Sequence, residues 1–178
     1  MHPAPLNADP DDAVVLLVDD MPDNIAPLHD ALDAAGYTVL VALDGQSALA
    51  RAAQARPDVI LLDVMMPGID GFATCRQLRE KYGDHCAPVI FITAKSESDD
   101  VVQGFAAGGV DYLPKPFRAK EVVARIRLHL QNRALIGQQR QGDVLRRVAL
   151  SAHVHQLHQG GGLPAGIHVP AARQPHHP

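Results

Sequence analysis

Residues 58–71 read Asp58-Val59-Ile60-Leu61-Leu62-Asp63-Val64-Met65-Met66-Pro67-Gly68-Ile69-Asp70-Gly71. The apolar run 59–62 is short, ends at an aspartate and is followed by the turn-forming pair Pro67-Gly68. Because the run does not alternate between apolar and polar residues, it is typical of a strand that is buried on both faces. It predicts an interior strand of a parallel sheet with Asp63 at its carboxyl end.

Four further apolar runs extend this pattern along the chain, at residues 14–18, 38–41, 89–92 and 110–113. Amphipathic stretches that predict helices lie between and after the runs, beginning near Pro22 and after Asp44, Ile69, Asp99 and Phe117. Strands that alternate with helices indicate a parallel sheet covered on both faces. We therefore predict an α/β fold, a doubly wound five-stranded (βα)5 sheet.

Composition narrows the class of protein. The chain has 178 residues, enough for one ordinary domain with tails, and a net charge of -4, which argues against a nucleic-acid-coating surface or an anionic-membrane anchor. Its two cysteines, Cys75 and Cys86, indicate no disulfide framework. Without a signal segment or an apolar run near the roughly 18 residues that span a bilayer, we expect a cytoplasmic protein with protein or ion partners.

Polar residues follow four of the predicted strands. Asp19 and Asp20 follow the first, Asp63 the third and Thr93 the fourth, while the fifth runs into Lys115. A doubly wound sheet has its functional crevice at the carboxyl ends of the strands, so these residues share one edge. Three carboxylates would repel one another unless a cation neutralised them, and oxygen ligands of this kind suit Mg²⁺.

Each of these residues also has an ordinary structural interpretation. An acidic pair at a strand end is commonly a helix cap or part of a solvated loop, and Asp20 could cap the helix that begins at Pro22. Thr93 could be a plain strand-end residue and Lys115 a surface charge. Their coincidence at four strand ends, on the edge that the topology selects, favours a site for phosphoryl chemistry.

Together, these segments resemble the receiver domains of two-component response regulators, which have a flavodoxin-like fold. The resemblance covers roughly residues 13–132 in order and spacing, and four segments carry it: Leu17-Val18-Asp19-Asp20, residues 58–71, Ile92-Thr93-Ala94 and Asp111-Tyr112-Leu113-Pro114-Lys115-Pro116-Phe117. It implies a domain that accepts a phosphoryl group on an aspartate and changes conformation, with no independent substrate.

The resemblance assigns roles at the acidic edge. Asp63 resembles the phosphoacceptor, and Asp19 and Asp20 resemble the pair that holds Mg²⁺ together with Asp63 and the backbone carbonyl of Met65. Lys115 resembles the lysine that pairs with the phosphoryl group. The Lys115–Pro116 peptide bond resembles the family's cis bond.

The resemblance also implies a switch and a partner. Thr93 corresponds to the switch hydroxyl, and Tyr112 to the aromatic residue that turns inward when Thr93 moves. The phosphoryl donor would be a sensor histidine kinase or a histidine phosphotransfer protein. The signal would reach a partner protein or an output domain that lies outside this sequence.

The flanking segments complete the predicted organisation. Residues 1–12 are expected to be a flexible tail and residues 13–132 the receiver domain. The helical pattern continues past the sheet, so residues 133–150 are predicted to be a helical extension or linker, while the Gly-, Pro- and His-rich residues 151–178 are predicted to be disordered. A homodimer could form through the face of the fourth helix, fifth strand and fifth helix, or through the extended C-terminal helix.

Two other functions fit the same fold. A small-substrate phosphatase with an aspartyl nucleophile usually needs a second acid two residues after the nucleophile, where this chain has Met65. A flavodoxin-like cofactor binder would bind a flavin, but the chain has no tryptophan to stack on the ring.

Overall fold

A computed structural model describes residues 12–159, with side chains described from residue 12 to residue 149. The expected N-terminal tail lies outside it up to residue 11, as do residues 160–178 of the predicted disordered tail. The elements follow in the order β1 Val14–Val18, α1 Pro22–Ala34, β2 Thr38–Ala42, α2 Gly45–Ala55, β3 Val59–Leu62, α3 Gly71–Tyr82, β4 Val89–Thr93, α4 Ser98–Ala106, β5 Asp111–Pro114 and α5 Ala119–Gln159.

The five strands form one parallel sheet in the order β2-β1-β3-β4-β5. The predicted fold class is therefore confirmed. β5 begins and ends one residue later than its apolar run, because Asp111 pairs with Ile90 in the sheet register. β4 includes Thr93, which pairs with Pro114.

Side chains that alternate along each strand build two cores, one on each face of the sheet. Leu16, Ile60 and Phe91 pack with α2 and α3 on one face. Val15 and Leu61 pack with α1 and α5 on the other. Burial of apolar side chains on both faces is the main stabilising contribution, at ~25 cal/mol per Å² of apolar surface removed from water, and it holds the strands, and therefore their ends, in position.

Three helices begin just beyond the carboxyl edge of the sheet, each with its own start signal. Pro22 occupies the first turn of α1, Asp44 and Ser47 form a reciprocal capping box at α2, and the Asp70 carboxylate accepts a hydrogen bond from Ala73 N at α3. Met21, not Asp20, is the N-cap residue of α1, and no side chain caps that end.

Asp111 connects β5 to α5. Its Oδ2 lies 3.2 Å from Arg125 Nη1 and 3.0 Å from His129 Nε2. Farther along α5, Arg133 Nη1 donates to the Asp58 carbonyl oxygen at 2.9 Å. These contacts fix the helix against the sheet in addition to the apolar packing of Ile126.

The helix α5 runs from Ala119 to Gln159, so it crosses residue 150, where the sequence predicts the boundary between a helical linker and a disordered tail. Residues 143–159 contain no proline or glycine, and an internal glycine such as Gly142 weakens a helix by only about 1 kcal/mol. Contacts divide the chain into two units, one ending at Gly137 and the other beginning at Gln138. Within residues 12–159, no helix is both long enough and apolar enough to cross a bilayer.

Candidate functional site: an acidic pocket bridged by a lysine

The parallel register brings three carboxylates together at the carboxyl edge of the sheet. Val18 pairs with Leu62 at the ends of β1 and β3, so the residues that follow, Asp19 and Asp63, are neighbours. Asp19 and Asp63 are buried and Asp20 is half-buried, and one carboxylate oxygen from each lies within 4.8 Å of the others. Such a cluster of negative charge needs a nearby cation.

Lys115 supplies positive charge at this cluster. Its Nζ lies 2.9 Å from Asp19 Oδ2 and 3.0 Å from Asp63 Oδ2. Burial lowers the pKa of Lys115, but the hydrogen bonds to Asp19 and Asp63 outweigh burial and leave the pKa above its ordinary value. The backbone places the side chain, because Lys115 N donates to the Thr93 carbonyl oxygen at 2.8 Å. The Lys115–Pro116 bond is cis, as the resemblance implied.

Backbone amides orient the two buried carboxylates. Met21 N donates to Asp19 Oδ1 at 2.9 Å, and Met65 N donates to Asp63 Oδ1 at 3.1 Å. The Met65 side chain itself is 56% exposed. Each carboxylate thus uses one oxygen for its loop and the other for Lys115, which fixes its orientation.

Sequence reasoning missed Asn24. Its side-chain nitrogen lies 3.4 Å from Asp19 Oδ1 and 3.3 Å from Asp19 Oδ2. The sequence did offer a sign of it: Asn24 is a polar residue in the first turn of the helix that follows Asp19 and Asp20. A residue in that turn lies near the carboxyl edge of the sheet. Asn24 adds a second donor to Asp19.

Gly71 lets α3 start directly against the end of β3. Its amide donates to the Val64 carbonyl oxygen at 2.9 Å, and a Cβ at this position would overlap the Asp63 carbonyl oxygen. The start of α3 can therefore lie this close to the Asp63 backbone only because residue 71 has no side chain.

Thr93 and Tyr112 lie on the neighbouring strands β4 and β5. Thr93 is fully buried, and its Oγ1 accepts a hydrogen bond from Lys95 N at 3.3 Å. The Tyr112 ring is directed into the protein, and its hydroxyl donates to the Lys95 carbonyl oxygen at 2.6 Å. Burial, reinforced by the charges of Asp100 and Asp63, raises the pKa of Tyr112 to about 12.

Asp19, Asp20, Asp63, Thr93 and Lys115 thus lie at one edge of the sheet, while Tyr112 lies within β5 beside Phe91. The ordinary interpretations fail for two of these residues. Asp20 does not cap α1, and Lys115 is only 18% exposed and is paired with two carboxylates. The cluster can bind a hard divalent cation through oxygen, and Asp63 offers a carboxylate oxygen next to a fixed positive charge.

Comparison with known proteins identifies the family. Residues 15–127 match the model for the response regulator receiver domain. The chain is 42% identical over 135 residues to the response regulator PleD of Caulobacter vibrioides, covering 76% of this chain and 30% of PleD. It is 42% identical over 117 residues to the DNA-binding response regulator MtrA of Mycolicibacterium smegmatis, covering 66% of this chain and 50% of MtrA.

A solved structure agrees with this match. The chemotaxis protein CheY4 of Vibrio cholerae superposes with a TM-score of 0.61 and 34% identity, covering 65% of this chain and 96% of CheY4. The chain spans half or less of the length of the two curated relatives named above, and the matched part is the receiver domain. The family match gives no support to a small-substrate phosphatase. With its parallel (βα)5 sheet and its lysine-bridged acidic pocket, the chain belongs to the receiver domain family of the two-component response regulators.

Proposed function

We propose that Asp63 accepts a phosphoryl group from a phosphohistidine of a sensor histidine kinase or of a histidine phosphotransfer protein. A carboxylate oxygen of Asp63 attacks phosphorus, the phosphorus–nitrogen bond breaks, and the imidazole leaves with the electron pair of that bond. The product is an acyl phosphate on Asp63. The protein contributes mainly positioning and neutralisation of charge to this reaction.

The observation that carries the proposal is the position of Lys115 between Asp19 and Asp63, at 2.9 and 3.0 Å. A structural ion pair would need one carboxylate, whereas here three are gathered at the edge of the sheet. The Lys115 ammonium can move from the Asp63 carboxylate to a phosphoryl oxygen while keeping its contact with Asp19, because it already contacts both carboxylates.

We propose that Mg²⁺ is held by Asp19, Asp20, Asp63 and the backbone carbonyl of Met65. Hard carboxylate and carbonyl oxygens are the ligands that Mg²⁺ prefers, and two or three carboxylates leave positions for water and for phosphoryl oxygens. The bound ion would neutralise the charge that develops on the transferring phosphoryl group. Asp20 is half-buried and within reach of water, so its carboxylate would hold the ion directly or through a bound water.

The signal would pass through Thr93 and Tyr112. The Thr93 hydroxyl would donate a hydrogen bond to a phosphoryl oxygen on Asp63. The Tyr112 ring would then stay turned inward, and its position would change the surface formed by α4, β5 and α5. This is a shift between two populations rather than a new structure. The link through Lys95, which contacts both residues, supports the coupling.

Acetyl phosphate with Mg²⁺ tests the acceptor directly. Intact-mass spectrometry of the wild-type chain is expected to show one added phosphoryl group, and Asp63→Asn is expected to show none. Asp30→Asn, which removes a carboxylate whose side chain is 87% exposed, is the matched control and should be phosphorylated like wild type. Equal labelling of wild type and Asp63→Asn would refute the assignment.

We propose that residues 13–132 are the working receiver and that α5 carries the signal onward, with no independent substrate for this chain. Self-association could involve exposed apolar residues on two surfaces. On α4 these are Val102 and Phe105, and on α5 they are Leu128, Leu135, Ile136, Val144, Leu145 and Val148.

Light scattering with Mg²⁺, with and without beryllofluoride, tests the dimer. Leu145→Glu is expected to abolish association if α5 carries it, and Phe105→Glu if the α4 surface does. A monomer mass for the wild-type chain in both conditions would contradict the dimer and leave the phosphoacceptor proposal untouched.

A further inference from the structure

One glycine of α4 lies against the ring of Tyr112. A Cβ built on Gly104 would be 2.9 Å from Tyr112 Cδ2 and 3.0 Å from Tyr112 Cε2. It would also be 3.2 Å from Phe91 Cδ2. Separations this short between carbon atoms are well inside van der Waals contact, so the inward ring occupies space that exists only because residue 104 has no side chain.

The two rings beside Gly104 differ in their freedom to move. Phe91 is fully buried in β4 and packs edge-to-face on Phe72, with ring centroids 5.3 Å apart. Tyr112 lies on the edge strand β5 and is held inward by one hydrogen bond, to the Lys95 carbonyl oxygen at 2.6 Å, and by a tilted contact with Phe91 at 5.9 Å. A group added at position 104 would therefore displace Tyr112 rather than Phe91.

We propose that Gly104 is a positioning residue that forms the slot for the inward ring of Tyr112, so that the unphosphorylated chain already holds Tyr112 inward. The inference rests on the proposed function for its meaning in signalling, since it concerns the same aromatic switch. Gly104 acts through Tyr112 and touches no phosphoryl group. In this chain the phosphoryl group would stabilise an inward ring that the slot already accommodates.

Gly104→Ala separates this role from an effect on the helix. Alanine is the stronger helix former, so the substitution should favour α4 on local grounds. The added methyl group would instead overlap the Tyr112 ring and shift its rotamer equilibrium outward. Gly142→Ala is the matched control, because it is also a helical glycine and a Cβ there would meet no atom within 4 Å.

Nitration by tetranitromethane, mapped by peptide mass spectrometry, reads the exposure of each tyrosine. The chain has three tyrosines, and Tyr37, which is 3% exposed, serves as an internal reference for global unfolding. We expect Tyr112 to be protected in wild type and in Gly142→Ala. In Gly104→Ala its nitration rate should rise at least about tenfold, with Tyr37 still protected.

Several outcomes would overturn the proposal. Fast nitration of Tyr112 in the wild-type chain, unchanged protection in Gly104→Ala, or equal loss of protection at Tyr37 and Tyr112 would each do so. If Gly104→Ala does not fold, the Tyr112→Ala background decides the matter. Folding of Gly104→Ala in that background would support the clash with the ring, and failure to fold would refute it.

This experiment and the test of the acceptor can fail independently. Nitration is measured without phosphate, Mg²⁺ or any reaction at Asp63. A chain that takes no phosphoryl group from acetyl phosphate could still show the protected Tyr112, and a phosphorylated chain could show an exposed one.

Discussion

Replacing Lys115 by methionine removes the positive charge from the acidic pocket and keeps most of the volume of the side chain. Asp19, Asp20 and Asp63 then lie within 4.8 Å of one another without the ammonium group that contacts two of them. We expect the variant to fold less stably than wild type in the absence of divalent metal. We also expect Mg²⁺ to stabilise the variant more than wild type, because the Lys115 charge no longer repels the ion.

The magnitude follows from the two contacts of Lys115. At the observed 2.9 and 3.0 Å, an effective dielectric constant of ~20 gives about 5–6 kcal/mol of Coulomb attraction for each pair. Desolvation of the buried charges opposes most of this attraction. Removal of one partner from a buried pair typically costs about 3–5 kcal/mol. Because Lys115 is 18% exposed and water can reach the pocket, we expect a loss near the lower end, ~3 kcal/mol.

Urea denaturation followed by circular dichroism, at neutral pH with EDTA or with Mg²⁺, measures both effects. Lys120→Met is the matched control, since Lys120 is exposed and has no contact with the pocket among the described interactions of residues 12–149. It should change the free energy of unfolding by less than ~0.5 kcal/mol. A loss below ~1 kcal/mol for Lys115→Met in EDTA, or equal stabilisation of variant and wild type by Mg²⁺, would refute the electrostatic account.

Three further predictions concern residues that stabilise the fold. Gly71→Ala should lower the free energy of unfolding by ~1–3 kcal/mol through overlap with the Asp63 carbonyl oxygen, and urea denaturation would disagree with this if the variant were as stable as wild type. At Asp111 burial raises the pKa, but hydrogen bonds from His129 and the backbone outweigh burial and leave the pKa below its ordinary value of 3.8. The stabilisation that the Asp111 carboxylate contributes is therefore complete above pH 3.8 and is lost as the pH falls further. Asp111→Asn should make the free energy of unfolding depend less steeply on pH in acid, and an unchanged slope would count against the contact with His129. Arg56 is the C-cap residue of α2 and has a left-handed φ of 47°. Arg56→Gly should therefore raise the free energy of unfolding by roughly 0.5–1 kcal/mol. A lower stability of this variant in a thermal melt would show that the Arg56 side chain contributes more than the strain of its backbone costs.

Much of the fold could be predicted from the sequence because its signals are local. The runs at 14–18 and 59–62 coincide with β1 and β3, since short unbroken apolar runs are typical of strands that are buried on both faces. The start of α2 after Asp44 is equally local, because its capping box lies within four residues. The end of α5 is harder to predict, because residues 143–159 contain no glycine or proline that would mark where the helix stops.

The acidic edge was also predictable, because parallel strands place their carboxyl ends together whatever the details of packing. The sequence alone was therefore enough to predict the fold class, the edge of the sheet that carries the candidate site, and the presence there of Asp19, Asp63 and Lys115. Three contacts could be seen only in the folded chain: Lys115 with both carboxylates, Asn24 with Asp19, and the inward Tyr112 ring with Gly104. Lys115 contacts residues that lie 96 and 52 positions away in the chain, and the directions of the Asn24 and Tyr112 side chains are set by packing and hydrogen bonding that no local pattern contains.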